Sequence, residues 1–330
     1  MADHQLARLS RRAWLLGLLI LAAASVLLGL HSGSVPLAWH DLWLTLRGGG
    51  DALQHSLVID LRLPRTLSAF ATGGMLALAG ALLQVLLRNP LADPYVLGVS
   101  GGASAGALAA LLLGLGGLWL TGAAFGGALV SMVLVFALAH GRGSWGPTRL
   151  LLTGVVVAAG WGAVISLLLA LSPDTHLKGM LFWLMGDLSQ AAFPGTALIV
   201  LAAALIGCYP WARTLNVLSH GELRAAALGV SVARVHASVY LLASLLTAAA
   251  VTTAGNIGFV GLIVPHMVRL VVGADHRVLL PGAVLLGGTL LVIADTVART
   301  ALAPQQLPVG VVTAMLGVPA FLVLLRRAAR

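Results

Sequence analysis

The apolar residues of this chain neither alternate nor recur on single faces. They form long runs, broken by short stretches of arginine, proline and glycine. A helix needs about 20 apolar residues to cross a bilayer. Ten segments meet that length, at about 13–30, 64–86, 95–114, 118–139, 149–171, 191–211, 234–253, 256–271, 279–298 and 309–325. The predicted fold is all-α: a polytopic transmembrane bundle of about ten spans forming one domain over residues 1–330. No soluble domain fits in the longest gaps, 31–63 and 212–233. The first run follows Arg8, Arg11 and Arg12 like a signal peptide, but it is longer than the usual core of about 7–15 residues and is read as a retained span. The eighth is short and holds Pro265, which predicts a broken or tilted helix.

Composition agrees. The 330 residues are 59% hydrophobic and only 9% charged, against about 25% in soluble domains, so lipid must be the solvent. The net charge of +9 does not point to nucleic acid, because the arginines sit between apolar runs and form no stripe or tail. They act instead as topology signals. Ten spans put both termini on one side. Fourteen basic residues fall on that side: Arg8, Arg11, Arg12, Arg88, Arg142, Arg149, Arg213, Arg224, Arg234, Arg269, Arg277, Arg326, Arg327 and Arg330. Five fall opposite: Arg47, Arg62, Arg65, Lys178 and Arg299. The richer side is expected to be the cytoplasm. The single cysteine, Cys208, allows neither an internal disulfide nor a CxxC site and is read as packing.

Catalytic chemistry is sparse. Walker A reads GxxxxGK[ST], but the only lysine, Lys178, is followed by Gly179 and Met180, so no P-loop exists and any ATP is hydrolysed on another polypeptide. No HExxH occurs, and the scattered histidines propose no metal site. Residues 98–102 (GVSGG) fit GxSG and GxSxG, raising an intramembrane serine protease with Ser100 as nucleophile and His266 as base. The competing explanation is helix packing: Gly98, Gly102 and Gly106 repeat at four-residue spacing, as do Gly122 and Gly126. Asp295 and Arg299, four apart, are read as a local ion pair, with Arg299 also able to face an acidic partner. Gln84 and Asn256 are expected to bond across helices. In the segment at about 214–233, Ser219-His220-Gly221-Glu222 reads as a capping box, Leu223 and Arg224 continue a helix to Leu228, Gly229 ends it, and Ser231 caps the next. A short capped helix there suits docking of a cytoplasmic partner.

Residues 61–67 (LRLPRTL), 84–103 (QVLLRNPLADPYVLGVSGGA), 258–269 (GFVGLIVPHMVR), 307–310 (LPVG) and 317–319 (GVP) resemble the FecCD-type permeases of ABC importers for heme, ferric siderophores and cobalamin. The resemblance covers nearly the whole chain. It implies a homodimer with two cytoplasmic ATPase subunits and a periplasmic binding protein, in a bacterial inner membrane with both termini cytoplasmic. It implies that Arg62, Arg65 and Arg299 pair with acidic residues of the docked binding protein, and that residues 219–228 form the helix that contacts the ATPase. Asn89 and Leu91, with Pro147 and Thr148, fall where the family closes its cytoplasmic gate. No cofactor is expected on this chain; ATP and Mg belong to the ATPase. The segment 174–187 resembles iron-chelate and heme members more than cobalamin ones. Heme is the leading substrate and a ferric siderophore the next, with Lys178 placed for a propionate, Met180 and Trp183 for the ring and His176 for iron; an ordinary exposed loop is the plain alternative. A proton-coupled secondary transporter fits less well, since Asp295 is the clearest acid within a span.

Overall fold

A computed structural model describes residues 2–139, 146–189, 191 and 194–328; Arg142 and Arg330, used above as topology signals, lie outside them. Described in chain order, the helices are α1 (Ala2–His31), α2 (Trp39–Leu46), α3 (Ala52–His55), α4 (Leu63–Leu86), α5 (Val99–Leu112), α6 (Leu118–Ala139), α7 (Pro147–Ala170), α8 (Asp174–Leu184), α9 (Pro194–Cys208), α10 (Ala212–Ser219), α11 (Glu222–Ala227), α12 (Val232–Ala254), α13 (Val260–Val272), α14 (His276–Thr300) and α15 (Val309–Ala328). Among the described residues, seven helical stretches are long and apolar enough to cross a membrane, and the shorter apolar helices Val99–Leu112, Val260–Val272 and Val309–Leu324 coincide with the third, eighth and tenth expected spans.

The bundle is organised around α4. The apolar window containing it is 94% buried, whereas that of α7 is 17% buried, so α4 is the axis and α7 the periphery. Close approach to α4 rests on glycine. A β-carbon on Gly73 would overlap the Gly287 carbonyl of α14, and one on Gly80 the Gly261 carbonyl of α13. In lipid, where apolar burial gives little drive, such backbone contact supplies the packing energy. α1 and α14 run parallel, since Arg11 meets Asp275 at one end and the Gly29 carbonyl meets Arg299 at the other. These ends are called the Asp275 end and the Asp295 end below.

The helix breaks carry their own compensation. The third span is interrupted by a 3₁₀ turn (Pro94–Leu97) and by Gly98 in the left-handed region (φ 73°). The eighth is broken upstream of Pro265, not at it: Gly255 (φ 69°) and Phe259 (φ 70°) bracket a non-helical stretch, and Pro265 lies within α13. The exposed backbone finds partners there. Asp187 N donates to Ala254 O (2.9 Å), Val309 N to Gly186 O (3.0 Å) and Gly310 N to Met185 O (3.0 Å). The Tyr95 hydroxyl donates to Ile257 O and accepts from Ile257 N, each at 2.9 Å. Gln84 Nε2 donates to Leu262 O (3.1 Å), the cross-helix bond expected for it; Asn256 is held through its backbone, its N donating to Trp183 O (3.4 Å).

The 31–63 gap is not a bare loop. α2, α3 and a π-helical turn (Ser56–Arg62) close over a small apolar cluster of Leu30, Leu37, Leu42 and Val58. The widened turn directly precedes Pro64, whose ring and missing amide disrupt regular α spacing. The two glycine stripes differ. Gly102 and Gly106 of α5 meet α6, at Gly127 and Ala123, whereas among the described residues nothing comes within 4 Å of a β-carbon placed on Gly122 or Gly126. Replacing Gly80 with Ala is therefore expected to lower the detergent melting temperature, by the overpacking cost of about 1–3 kcal/mol, while Gly122→Ala leaves it unchanged; equal effects would contradict this packing.

Candidate functional site

At the Asp295 end, α1 stops at His31 and leaves the unpaired carbonyls that every helix C-terminus presents. Two arginines take them. Arg62, 6% exposed, donates from Nη1 to Leu30 O (2.9 Å) and His31 O (2.7 Å) and from Nη2 to Val35 O (2.5 Å). Arg299 donates from Nη2 to Gly29 O (3.0 Å) and from Nη1 to Ser32 O (3.2 Å). Both cations also face the negative end of the helix dipole. Gly33 leaves the space the Arg62 guanidinium fills.

Asp295, fully buried, binds the third arginine. Arg65 Nε donates to its Oδ1 (2.9 Å) and Oδ2 (3.2 Å), and Arg65 Nη1 donates to Gln306 Oε1 (2.8 Å). Arg299 Nε lies 2.9 Å from Oδ2, near enough to pair but out of line for a hydrogen bond. The expected Asp295–Arg299 pair is thus present, but shared with Arg65. All three arginines line a cavity of about 450 Å³ whose rim includes Asp60, Ser189 and Gln306. Three guanidiniums against Asp60 and Asp295 leave the cavity one positive charge in excess. The three arginines expected to meet a partner also have structural contacts: Arg62 and Arg299 are buried and hold α1 to the bundle, and Arg65 is the least buried of the three.

At the Asp275 end, Asp275 caps α14 through Arg277 N (3.1 Å), accepts from Asn216 Nδ2 (3.0 Å) and pairs with Arg11 (3.2 Å). It joins α1, α10 and α14. Burial opposes its ionisation, but the bonds from Asn216 and Arg277 N and the charges of Arg11 and Arg277 outweigh it and set its pKa below the usual range. That stabilisation is present above the unfolded value of about pH 4 and is lost as pH falls through the folded one.

The neighbouring coupling segment differs from the capping-box expectation. Ser219 ends α10 and its hydroxyl donates to Asn216 O (2.7 Å) rather than accepting from Glu222. The chain then turns through Gly221 (φ 116°), which no side chain caps. Gly229 does end α11 in the left-handed region (φ 81°), while the Ser231 hydroxyl accepts from Arg234 Nε (2.9 Å) instead of capping α12. On α11, Ala225 faces inward; Leu223 (89% exposed) and Leu228 (72%) face out, beside exposed Ser219, His220 and Arg224. Glu222 turns back to Arg88, with Arg88 Nη2 3.4 Å from its Oε1. Nothing in the sequence paired those two.

Of the gate candidates, Asn89 and Leu91 share an exposed turn in which Asn89 Oδ1 accepts from Leu91 N (2.9 Å), while Pro147 opens α7 and Thr148 beside it is exposed. The segment 174–187 begins as α8, not a loop. Three of its four substrate candidates, His176, Met180 and Trp183, stand at i, i+4 and i+7 and share one helical face; His176 and Trp183 are half-buried, Met180 is fully buried and offers no surface to a substrate in this conformation, and Lys178 is exposed off that face. Ser100, 7% exposed, forms no hydrogen bond with His266 among the described residues. Asp295→Asn would leave Arg65 and Arg299 without a neutralising carboxylate; a loss of about 3–5 kcal/mol is expected, read as a fall in detergent melting temperature larger than that of Gln306→Ala, and equal shifts would contradict the shared-carboxylate geometry.

The sequence model of the FecCD transport family matches residues 19–327. The cobalamin import system permease protein of Halobacterium salinarum is 44% identical, over 90% of this chain and 83% of its own length. The hemin transport system permease protein of Yersinia pestis is 39% identical over 97% of both chains. A solved inward-facing ABC transporter, whose metal-chelate type is itself provisional, superposes with a TM-score of 0.84 at 31% identity, covering 96% of this chain and 99% of that one. With a bundle of matching architecture and near-complete coverage, this membrane-embedded transport permease belongs to the FecCD family of ABC transporters.

Proposed function

We propose that this chain forms the translocation path of an ATP-driven importer in a bacterial inner membrane, moving heme or a related iron chelate inward by alternating access. The observation that carries the direction is the arginine-lined cavity at the Asp295 end, opposite an end that presents bare leucines. The excess positive charge suits an acidic residue of a periplasmic binding protein, and Arg65, with Gln306 beside it, is the residue placed to receive one. The leucines of α11 suit a groove on a cytoplasmic ATPase. The basic residues crowd the Asp275 end, which supports its cytoplasmic placement with both termini. ATP and Mg then belong to two ATPase subunits, and the outward apolar surface of α7 suits a second copy of the chain.

The family work is physical rather than catalytic. A solute as large as a metal chelate cannot pass a fixed pore without leakage, so two gates must open in turn. A partner shifts that equilibrium only by binding one state more tightly than the other. Exposed Lys178 on α8 supports a substrate carrying carboxylates, as heme does. Cobalamin is the second reading, favoured by the identity to the Halobacterium permease; a ferric siderophore is the third.

Uptake into proteoliposomes holding the permease, its ATPase and its binding protein should be competed most strongly by heme; competition by cobalamin alone would replace that substrate. Arg65→Gln should weaken docking of the binding protein by about tenfold, the effect shrinking as salt rises. Unchanged docking in a folded variant would reject the cavity as the contact.

A further inference from the structure

The end of α4 is closed by a turn built for glycine. Leu87 is the cap, Arg88 N donates to Val85 O (3.2 Å) and Asn89 N donates to Gln84 O (3.2 Å). Those two bonds form a Schellman motif, whose left-handed position is ordinarily glycine. Here it is Arg88, with φ 47°; Arg88 and Phe259 are the non-glycine residues with positive φ among the described residues. A β-carbon is disfavoured in that region, so the side chain must serve something the turn does not.

Its guanidinium reaches Glu222, the first residue of α11, with Nη2 3.4 Å from Oε1. The side chains are 50% and 33% exposed, and ion pairs of that exposure add little to stability. Folding alone therefore does not explain an arginine at a glycine position. What the pair does is connect. Glu222 lies in the short helix whose outer face carries Leu223 and Leu228. Arg88 begins the exposed turn of Asn89 and Leu91, which leads to Asp93. Asp93 Oδ1 accepts from Tyr95 N (2.8 Å), and the Tyr95 hydroxyl holds both backbone groups of Ile257 in the break between α12 and α13. Buried His236 of α12 lies within electrostatic reach of both members of the pair.

Resting on the reading of α11 as the ATPase contact, we propose that Arg88 and Glu222 are paired positioning residues that tie α11 to the 88–97 segment and, through Tyr95, to the broken backbone at Ile257. A displacement of α11 is then passed to two stretches of non-helical backbone inside the bundle rather than dissipated in a surface loop.

The test uses the complete transporter in proteoliposomes, with an equimolar mixture of heme, cyanocobalamin and a ferric hydroxamate as probe, reading uptake per ATP hydrolysed alongside melting temperature. Arg88→Gly relieves the turn, so it should hold or raise the melting temperature while uptake per ATP falls by about fivefold or more. Glu222→Gln should lose coupling to a similar degree, the double variant should be no worse than either single one, and exchanging the charges (Arg88→Glu with Glu222→Arg) should recover part of the loss. Unchanged uptake per ATP in Arg88→Gly, or losses that multiply in the double variant, would overturn the pairing. Uptake by the wild-type assembly that does not depend on ATP would overturn the ATPase-contact reading along with it.

Discussion

Hydrocarbon offers no hydrogen-bond partner, so every charge and every broken turn in a membrane bundle must be satisfied by the protein itself. That constraint shapes both ends of this chain. At one, the carbonyls released by α1 are taken by Arg62 and Arg299, and one carboxylate, Asp295, serves Arg299 and Arg65. In the interior, the breaks at Gly98 and at 255–259 survive because Tyr95, Asp187, Val309 and Gly310 supply bonds across segments. The non-helical backbone at these two breaks is thus enclosed by neighbouring segments, as the solvent demands.

The same constraint explains how a permease can be both tight and movable. α4 is fixed against α13 and α14 by glycine contacts that tolerate no added carbon. The short elements around it, α8, α13 and the 3₁₀ turn at Pro94–Leu97, are held by a few directed hydrogen bonds. A tightly packed axis flanked by short segments held by few bonds suits the proposed alternating access, since packed helices shift between discrete arrangements rather than deform smoothly.

Much of this was legible in the residues. Hydropathy located the seven helical stretches long enough to cross a membrane and the three shorter apolar helices, because the length of an apolar run is set by bilayer thickness, and Gln84 announces its cross-helix bond by being polar in an apolar run. Rotation about a helix axis was less legible. The glycine of α6 that meets α5 is Gly127, beside the Gly122 and Gly126 stripe rather than on it. The Ser219–Glu222 spacing fits a capping box, yet α10 extends to Ser219 and consumes the hydroxyl locally. The chemistry of Met180 suits a macrocycle, but helical periodicity turns it into the bundle. The backbone contacts of Arg62 and Arg299 had no signal, because charge counts report which side a residue is on, not which group it binds. The Arg88–Glu222 contact had no signal, since its partners are far apart in the chain and meet only after folding.

The division of labour follows from what the chain contains. Its buried charges, Arg62, Asp295 and Arg299, hold helices together, and the sequence carries no phosphate-binding loop; the proposed power source is a partner seated on α11. Concentrative uptake into proteoliposomes, compared between the purified permease alone and the permease with its ATPase, binding protein and ATP, tests this most directly. Accumulation only in the complete assembly is the expected result. Sustained accumulation by the permease alone under an ion gradient would contradict it.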